Sequence, residues 1–215
     1  TPLYSSAASD VYKRQEENIF KAYKELGKSP YFANAYPKVF FDYLKSGKTR
    51  LSTTSLSCRL SGIKLNSVTD LRQSKALTAE ITNERWNRKL KYQLKVISPE
   101  TAARRLLRIA GKNDFTLYEF FHTDHLGHGR IADEFEAIYN NLDRFLFTIL
   151  SELNKEAITL VICSDHGNFE DLSVKTHTMN PALTLTAGKN ALQLAESIKA
   201  VSYTHLRAHE TDSYL

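Results

Sequence analysis

The amino-acid sequence predicts an α/β fold in which a mostly parallel sheet is sandwiched by helices, with a small inserted cap region. Three observations favour this fold class. The continuous apolar run Thr159–Cys163 is typical of a strand covered on both faces. Apolar residues spaced by three and four between Ile131 and Leu153 predict a long amphipathic helix. Strand and helix patterns follow one another after residue 115, as expected of an α/β sandwich.

The other elements are predicted from caps, breakers and periodicity. A helix is expected over 16–27, where an acidic first turn precedes an apolar face and Gly27 ends the pattern. Another helix is expected to begin at Pro99, after the capping residue Ser98, and to stop at Gly111. The remaining predictions are strands at Tyr31–Tyr36, Phe115–Phe121 and Ala182–Thr186, and a final helix at Ala191–Ala200.

Residue composition changes along the chain. The stretch 50–97 is rich in Ser, Thr, Asn and Arg and weakly periodic, so we interpret it as the inserted cap region. Both termini look like translated adapter sequence; the chain starts at Thr1, and its only methionine is Met179. We therefore expect an N-terminally truncated fragment and exclude His205 and His209 as ligands. The expected regions are adapter-like tails at 1–15 and 201–215, an incomplete core at 16–49 and 98–200, and the cap at 50–97.

Composition and charge exclude several classes of protein. The chain of 215 residues is 42% hydrophobic and 25% charged, with 8 Gly and 5 Pro, so it is neither disordered nor collagen-like. It contains no transmembrane run and no visible signal peptide. The net charge of +5 suits an anionic small molecule, but no basic stripe points to nucleic acid. Cys58 and Cys163 make no disulfide framework; we expect a buried Cys163 thiol and a cytoplasmic protein.

Three polar clusters rich in Asp and His contain the candidate functional residues. The first two directly follow predicted strands. In an open α/β sheet ligands bind at the carboxyl ends of the strands, and carboxylate plus imidazole is a donor set for Zn or Mn. The clusters therefore predict a divalent metal site. They are Phe121–His128, Ser164–Asp171 and Lys175–Pro181, and their candidate ligands are Asp124, His128, Asp165, His166 and His177.

Several neighbours of these candidates have other expected roles. Gly127 and Gly167 are expected to permit the tight backbone turns that aim the ligands. His122 is interpreted as a packing residue at a strand end, and His125 as an outward residue that binds no metal. The acidic pair 170–171 either holds the imidazoles or lies at a helix start, and the sequence favours neither role.

The three motifs Asp124-x-x-Gly127-His128, Ser164-Asp165-His166-Gly167-Asn168 and His177-Thr-x-Asn180-Pro181 resemble the metal-binding motifs of the alkaline phosphatase superfamily. The nearest likeness is the metalloenzyme domain of cofactor-independent phosphoglycerate mutase and phosphopentomutase. Order and spacing agree across residues 115–187. The segments Tyr31–Tyr36 and Asp70–Asn83 also look like a smaller branch of that superfamily.

The resemblance implies two divalent metal ions, Mn or Zn. It assigns Asp124, His128 and His177 to one ion, and Asp165 and His166 to the second. The family completes the second site with an N-terminal Asp and uses a Ser or Thr nucleophile that is transiently phosphorylated; we expect both upstream of this chain. An internal candidate for the nucleophile is Ser52–Ser55, and the cap residues expected to clamp an anionic substrate are Arg50, Arg59, Lys64 and Arg72.

The resemblance therefore implies a fragment of a two-metal-dependent phosphoryl-transfer enzyme, either a phosphomutase or a phosphomonoesterase. Its substrate would be a small-molecule phosphate ester, with no nucleic-acid or membrane partner, and the fragment itself would be inactive. One alternative is a sulfatase-like hydrolase, because the same metal frame supports sulfate esters. Another is a non-catalytic metal-binding paralogue, which would be marked by the loss of a ligand cluster.

Overall fold

A computed structural model describes residues 17–47 and 51–200, without the side chains of 199 and 200. The adapter-like tails predicted at 1–15 and 201–215, and the candidate clamp residue Arg50, lie outside the described residues. In chain order the elements are α1 Ile19–Glu25, β1 Pro30–Phe32, α2 Lys38–Lys45, α3 Thr53–Leu60, α4 Val68–Arg72, α5 Glu84–Leu90, α6 Pro99–Ala110, β2 Phe115–Leu117, α7 His122–Gly127, a 3₁₀ turn Ala132–Glu134, α8 Phe135–Glu152, β3 Thr159–Cys163, β4 Thr184–Gly188 and α9 Ala191–Ala200.

The chain forms two compact units. Unit 1 contains the described residues up to Ala79 together with Arg108–Glu119. Unit 2 contains Glu80–Leu107 and the described residues from Phe120 onwards. The boundaries of the cap at 50–97 stay a prediction. Among the described helices, none has both the length and the apolar character that a bilayer crossing requires.

Strand pairing in unit 1 is parallel. β1 pairs with β2 so that Tyr31 lies opposite Thr116. Beyond β1, single parallel bridges join Asn34 to Leu77 and Ala35 to Asn66. β2 is shorter than the strand predicted to Phe121, because side-chain hydrogen bonds replace strand pairing after Leu117. The Glu119 amide donates to Asn34 Oδ1 at 2.8 Å, and the Asn34 amide donates back to the Glu119 carbonyl at 2.8 Å.

Aromatic side chains form the core of unit 1. α1 confirms the helix predicted over 16–27; Asn18 caps it by accepting from the Lys21 amide at 3.1 Å. Its buried Phe20 packs edge to face on Phe32 and Phe115, with ring centroids 6.3 and 5.7 Å apart. The Cys58 thiol is buried against the same cluster.

Unit 2 combines the longest helix with an antiparallel strand pair. α8 confirms the helix predicted from apolar spacing, and its Ile138 packs with Leu126 and Ile131 in a buried cluster. β3 has the predicted bounds and pairs with β4, with Val161 opposite Thr186. β4 lies two residues later than predicted. The helices predicted from Pro99 and over Ala191–Ala200 are confirmed as α6 and α9.

Two expectations about the sheet differ from the structure. A mixed α/β fold is present, but a mostly parallel sheet sandwich is not confirmed: the described strands form two two-stranded sheets, one parallel and one antiparallel. The expectation that β3 is covered on both faces is wrong. Val161 is 44% exposed, and the Cys163 thiol predicted to be buried is exposed. Every second residue of β3 is exposed, so one face of this strand is open to solvent.

Candidate metal centre

The structure brings four of the five predicted ligands together in unit 2. Asp124 lies in the first turn of α7, and His128 follows the last residue of that helix. They are four positions apart, so helix geometry places both side chains on one face. The Asp124 Oδ1 to His128 Nε2 distance is 3.2 Å. The connection between β3 and β4 supplies His166 and His177 to the same place.

The candidate donor atoms face one another at short range. His177 Nε2 lies 3.2 Å from His128 Nε2 and 3.8 Å from Asp124 Oδ1. His166 Nε2 lies 3.9 Å from Asp124 Oδ1, and the rings of His166 and His177 stack with centroids 3.6 Å apart. One ligand atom from each of Asp124, His166 and His177 lies within 4.8 Å of the other two. Lone pairs converging from three imidazoles and a carboxylate make a site suited to a cation.

Asp165 lies at the edge of this cluster. Its Oδ1 is 3.6 Å from His166 Nε2, and its side chain is 73% exposed. The four clustered side chains are much less exposed, between 15% and 19%. Asp165 is thus joined to the cluster through His166 and faces solvent.

A backbone carbonyl orients one of the imidazoles. His128 Nδ1 lies 2.8 Å from the Lys175 carbonyl oxygen. A carbonyl can only accept, so this contact places the proton on Nδ1 and leaves Nε2 as the electron-pair donor that faces Asp124. His166 Nδ1 is buried without a hydrogen-bond partner among the described residues. It is the other ring nitrogen, Nε2, that faces the carboxylates of Asp124 and Asp165.

Asn168 is a site residue that sequence reasoning did not single out. Its buried amide donates from Nδ2 to Asp124 Oδ1 at 3.0 Å. A Cβ on Gly127 would collide with Asn168 Oδ1, so the glycine allows the close approach of this amide to α7. The expectation that Gly127 permits a turn is wrong, because the turn after α7 is made by Gly129, at φ +69°. The signal in the sequence was Asn168 itself, the last residue of the second motif.

Glu170 joins the two halves of the β3–β4 connection, which supply His166 and His177. Its carboxylate accepts from the backbone amide of Asn168 at 2.6 Å, from the Thr178 hydroxyl, and from Asn180 Nδ2 at 3.1 Å. The Thr178 hydroxyl is the main cause that lowers the pKa of Glu170 to about 2. A bridge in which the Thr178 amide donates to the Gly167 carbonyl at 2.9 Å adds to this connection.

Both roles expected for the acidic pair 170–171 are therefore wrong. Glu170 bonds loop groups instead of an imidazole, and neither residue lies in a helix. Asp171 closes a local turn by accepting from the amide and hydroxyl of Ser173, and these bonds lower its pKa. A Cβ on Gly167 would collide with the Thr178 hydroxyl, so this glycine too is needed for loop contact.

The two other histidines of the first motif lie outside the cluster of mutually close ligand atoms among the described residues. His122 is buried, and burial, assisted by the positive charge of Arg85, lowers its pKa to about 4. It begins α7 instead of ending a strand. His125 is half-buried, and burial lowers its pKa.

The nucleophile candidate Ser52–Ser55 lies in unit 1, where three of its four hydroxyls have structural partners. Ser52 caps α3 by accepting from the Ser55 amide. Thr54 donates to the Glu119 carboxylate, and Ser55 shares a 2.7 Å hydrogen bond with Tyr36. Burial raises the pKa of that tyrosine to about 12, so its hydroxyl stays protonated at physiological pH. Of the candidate clamp residues, Lys64 pairs with Asp70, whereas Arg59 and Arg72 are exposed.

Comparison with known proteins gives one family match. The model of a family described as the Metalloenzyme superfamily, a member of the alkaline phosphatase-like group, matches residues 87–213, more than half of the chain. The solved structure of the PH0037 protein from Pyrococcus horikoshii is similar to 80% of this chain at 16% identity, with a TM-score of 0.49. The chain spans 41% of that structure. No curated protein matches the chain.

Proposed function

Because the chain belongs to the Metalloenzyme superfamily, we propose that it is part of a two-metal-dependent phosphoryl-transfer enzyme, a phosphomutase or a phosphomonoesterase. The substrate class we propose is a small phosphate ester. The observation that carries this proposal is the convergence of the Asp124 carboxylate with the imidazoles of His128, His166 and His177. The short parallel pairs of unit 1 are compatible with a larger parallel sheet in the whole enzyme.

The donor set of this cluster fits divalent cations. We propose that Asp124, His128 and His177 hold one ion, and that Asp165 and His166 hold a second, each being Mn or Zn. The 3.2 Å distance between His177 Nε2 and His128 Nε2 supports a shared ion, because both nitrogens face the same carboxylate oxygen. The exposed Asp165 supports a second ion on the solvent side of His166, where a substrate has access.

When bound, such ions stabilise the attacking and leaving oxygens of an in-line displacement at phosphorus. The chain's own residues fix the donors in advance. Asn168 holds the orientation of Asp124 by donating to one oxygen, and the Lys175 carbonyl fixes the tautomer of His128. Glu170 ties the loops of His166 and His177 together. We assign the phosphorylated Ser or Thr to no described residue.

We also propose a cytoplasmic location. Both cysteines, Cys58 and Cys163, are free thiols, and one of them is exposed. Exposed free thiols persist in reducing compartments and are uncommon in secreted proteins.

Metal titration tests the ligand assignment. The chain is stripped with a chelator and titrated with Zn²⁺ or Mn²⁺ by calorimetry, and bound metal is measured by elemental analysis. We expect His177→Ala to lose one metal equivalent. His125→Ala is the matched control, since this neighbouring histidine lies outside the cluster, and it should keep the full stoichiometry. Unchanged stoichiometry in His177→Ala contradicts the assignment.

Activity assays on the complete protein separate the reaction classes. A phosphomonoesterase releases phosphate from p-nitrophenyl phosphate, whereas a sulfatase-like enzyme turns over p-nitrophenyl sulfate. A protein that binds both metal equivalents and turns over neither these esters nor phosphorylated sugars and glycerates is a non-catalytic metal-binding paralogue.

A further inference from the structure

The basic residues of the chain are unevenly distributed. The eleven residues 85–95 contain five of the 29 lysines and arginines and no acidic residue. The rest of the chain has 24 basic residues against 24 acidic ones, so the whole formal excess of +5 comes from this stretch, which we call the basic segment. It lies in unit 2 and consists of most of α5 and the five residues that follow this helix.

Local contacts fold the basic segment back on itself. Lys91 ends α5 in the left-handed conformation, at φ 58°, and the chain then returns beside the helix. The Asn87 side chain donates to the Leu94 carbonyl and accepts from the Leu94 amide, both at 2.8 Å. Trp86 packs on Tyr92 with ring centroids 5.4 Å apart. The cations of the helix and those of the returning chain therefore belong to one local structure.

Three lysines of the basic segment present their charges to solvent. Arg85 and Arg88 are partly neutralised, since each places a guanidinium nitrogen 2.6 Å from Glu134. Glu84, directly before the segment, is the nearest acidic residue along the chain. Exposed cations that are not neutralised attract anionic surfaces. Within the described ranges, three exposed cations of the segment form no ion pair, namely Lys89, Lys91 and Lys95.

Apolar side chains lie among these lysines. Leu90 is 42% exposed, and Val96, directly after the segment, is 52% exposed. The phosphates of a nucleic acid offer no partner to such aliphatic groups, and the Trp86 ring is already packed on Tyr92 instead of being open to a base. A lipid bilayer offers both partners, because its headgroups attract lysines and its acyl chains receive leucine and valine. The combination of charge and aliphatic surface therefore favours lipid.

We infer that the basic segment docks on the surface of an anionic lipid bilayer without crossing it. Lys89, Lys91 and Lys95 face the lipid phosphates, while Leu90 and Val96 enter the boundary between headgroups and acyl chains. Anionic lipids are concentrated in the cytoplasmic leaflet, which agrees with the cytoplasmic location proposed above. This inference replaces the expectation of no membrane partner and is independent of the proposed phosphoryl-transfer function.

Vesicle binding followed by tryptophan fluorescence tests the inference. Trp86 is the only tryptophan of the chain, so its emission reports on the basic segment. The full chain is titrated with vesicles of phosphatidylcholine and with vesicles that also contain phosphatidylserine, and the vesicles are then sedimented. We expect a blue shift and co-sedimentation with the anionic vesicles only. Binding should weaken when the salt concentration rises from about 0.1 to about 1 M, because the Debye length falls from about 10 to about 3 Å.

A triple variant locates the binding surface. Lys89→Gln, Lys91→Gln and Lys95→Gln together should weaken binding to anionic vesicles roughly a hundredfold, since each lysine at such a surface contributes about fivefold. Leu90→Gln should weaken it about three- to tenfold without a change of charge. The matched control removes the same charge from three exposed lysines elsewhere in the described residues and should bind almost as the wild type does: Lys112→Gln, Lys155→Gln and Lys189→Gln.

Several outcomes overturn the inference. These are the absence of binding to anionic vesicles, equal losses in the two triple variants, and a higher affinity for a single-stranded oligonucleotide or for polyglutamate than for the vesicles. All six substituted lysines are exposed, so both triple variants should fold. Metal binding separates the two proposals: His177→Ala should lose metal and keep vesicle binding, whereas the triple variant of the basic segment should keep the full metal stoichiometry.

Discussion

Gly127 contributes to the candidate site because it has no Cβ atom. Its backbone is helical, and the space that a Cβ would fill is taken by the side chain of Asn168. That asparagine donates to Asp124, so a glycine on the helix preserves the orientation of a ligand in the same turn. Because Gly127 carries a hydrogen atom where alanine has a methyl group, Asn168 can pack against α7 and orient Asp124 in the candidate metal centre.

We expect Gly127→Ala to destabilise the protein by about 1–3 kcal/mol, because the added methyl group overlaps the Asn168 amide. Helix propensity alone predicts the opposite, a gain of up to about 1 kcal/mol. Urea unfolding measures the difference. In the double variant with Asn168→Ala the overlap is gone, so the cost of the alanine should largely vanish. A cost that persists beside Asn168→Ala would show that another contact is responsible.

Glu170 gives a pH prediction with a defined sign. Its pKa falls from 4.5 to about 2 on folding, so the charged form is favoured in the folded state. The resulting stabilisation is fully present above pH 4.5 and is lost as the pH falls towards 2. We expect Glu170→Gln to be less stable than the wild type by roughly 0.5–1 kcal/mol at pH 7, because solvent screens this exposed group.

The measurement compares chemical unfolding of the wild type and Glu170→Gln at neutral pH and near pH 2. Their difference in unfolding free energy should close at the acidic end. Glu156→Gln is the control, since this exposed glutamate has no side-chain partner in the described residues. If the difference in unfolding free energy does not change with pH, the charge of Glu170 is not the source of the stabilisation.

At the scale of elements, Glu134 connects α5 to the 3₁₀ turn that precedes α8. It accepts from Arg85 and Arg88, and its side chain is 15% exposed. We expect Glu134→Gln to cost about 1–3 kcal/mol, because two guanidinium groups lose a shared, half-buried carboxylate. Thermal or urea unfolding measures this loss.

The ion pair between Arg104 and Glu152 is the control for the ion pairs of Glu134. It joins α6 to α8 with a bidentate contact at 2.7–3.0 Å, but both side chains are well exposed. Glu152→Gln should therefore change stability little. Equal losses in Glu134→Gln and Glu152→Gln would contradict the importance of burial at the first pair.

Elements with strong local signals were predictable. The caps of α6 and the three-four spacing of α8 depend on nearby residues, and both helices are confirmed. β3 was placed correctly, but its exposure was not, because coverage depends on partners that an apolar run does not specify. β2 was predicted too long because the Asn34 side chain, distant in sequence, takes the backbone groups of Glu119.

At the scale of the whole molecule, the two compact units should respond differently to metal. The candidate ligands all belong to unit 2, so a bound ion stabilises that unit. At a free metal concentration of about 100 times the dissociation constant the gain is about 2.7 kcal/mol. Hydrogen exchange should then show slower exchange in unit 2, around α7 and the loops after β3. His177→Ala should abolish the effect, and equal slowing in unit 1 would contradict it.

The candidate ligands could be selected from the sequence, but the groups that hold them in position could not. Asp124, His128, His166 and His177 were selected for their chemistry and motif order, and the structure brings them together. Asn168 and the Lys175 carbonyl support them through contacts of the β3–β4 connection with Asp124 and His128, and Glu170 through contacts within that connection. Contacts of this kind are set by tertiary packing, so residue type and spacing alone did not indicate them.

The hydrogen bonds that Glu170 accepts from Asn168, Thr178 and Asn180 have a practical consequence for handling the protein. Imidazole ligands release metal when they are protonated, whereas this carboxylate remains charged until the pH approaches 2. Dialysis against a mildly acidic buffer should therefore remove the ions while the hydrogen bonds of Glu170 continue to connect the segments of His166 and His177. Return to neutral pH would then give a scaffold ready to be reloaded with a spectroscopic metal such as cobalt.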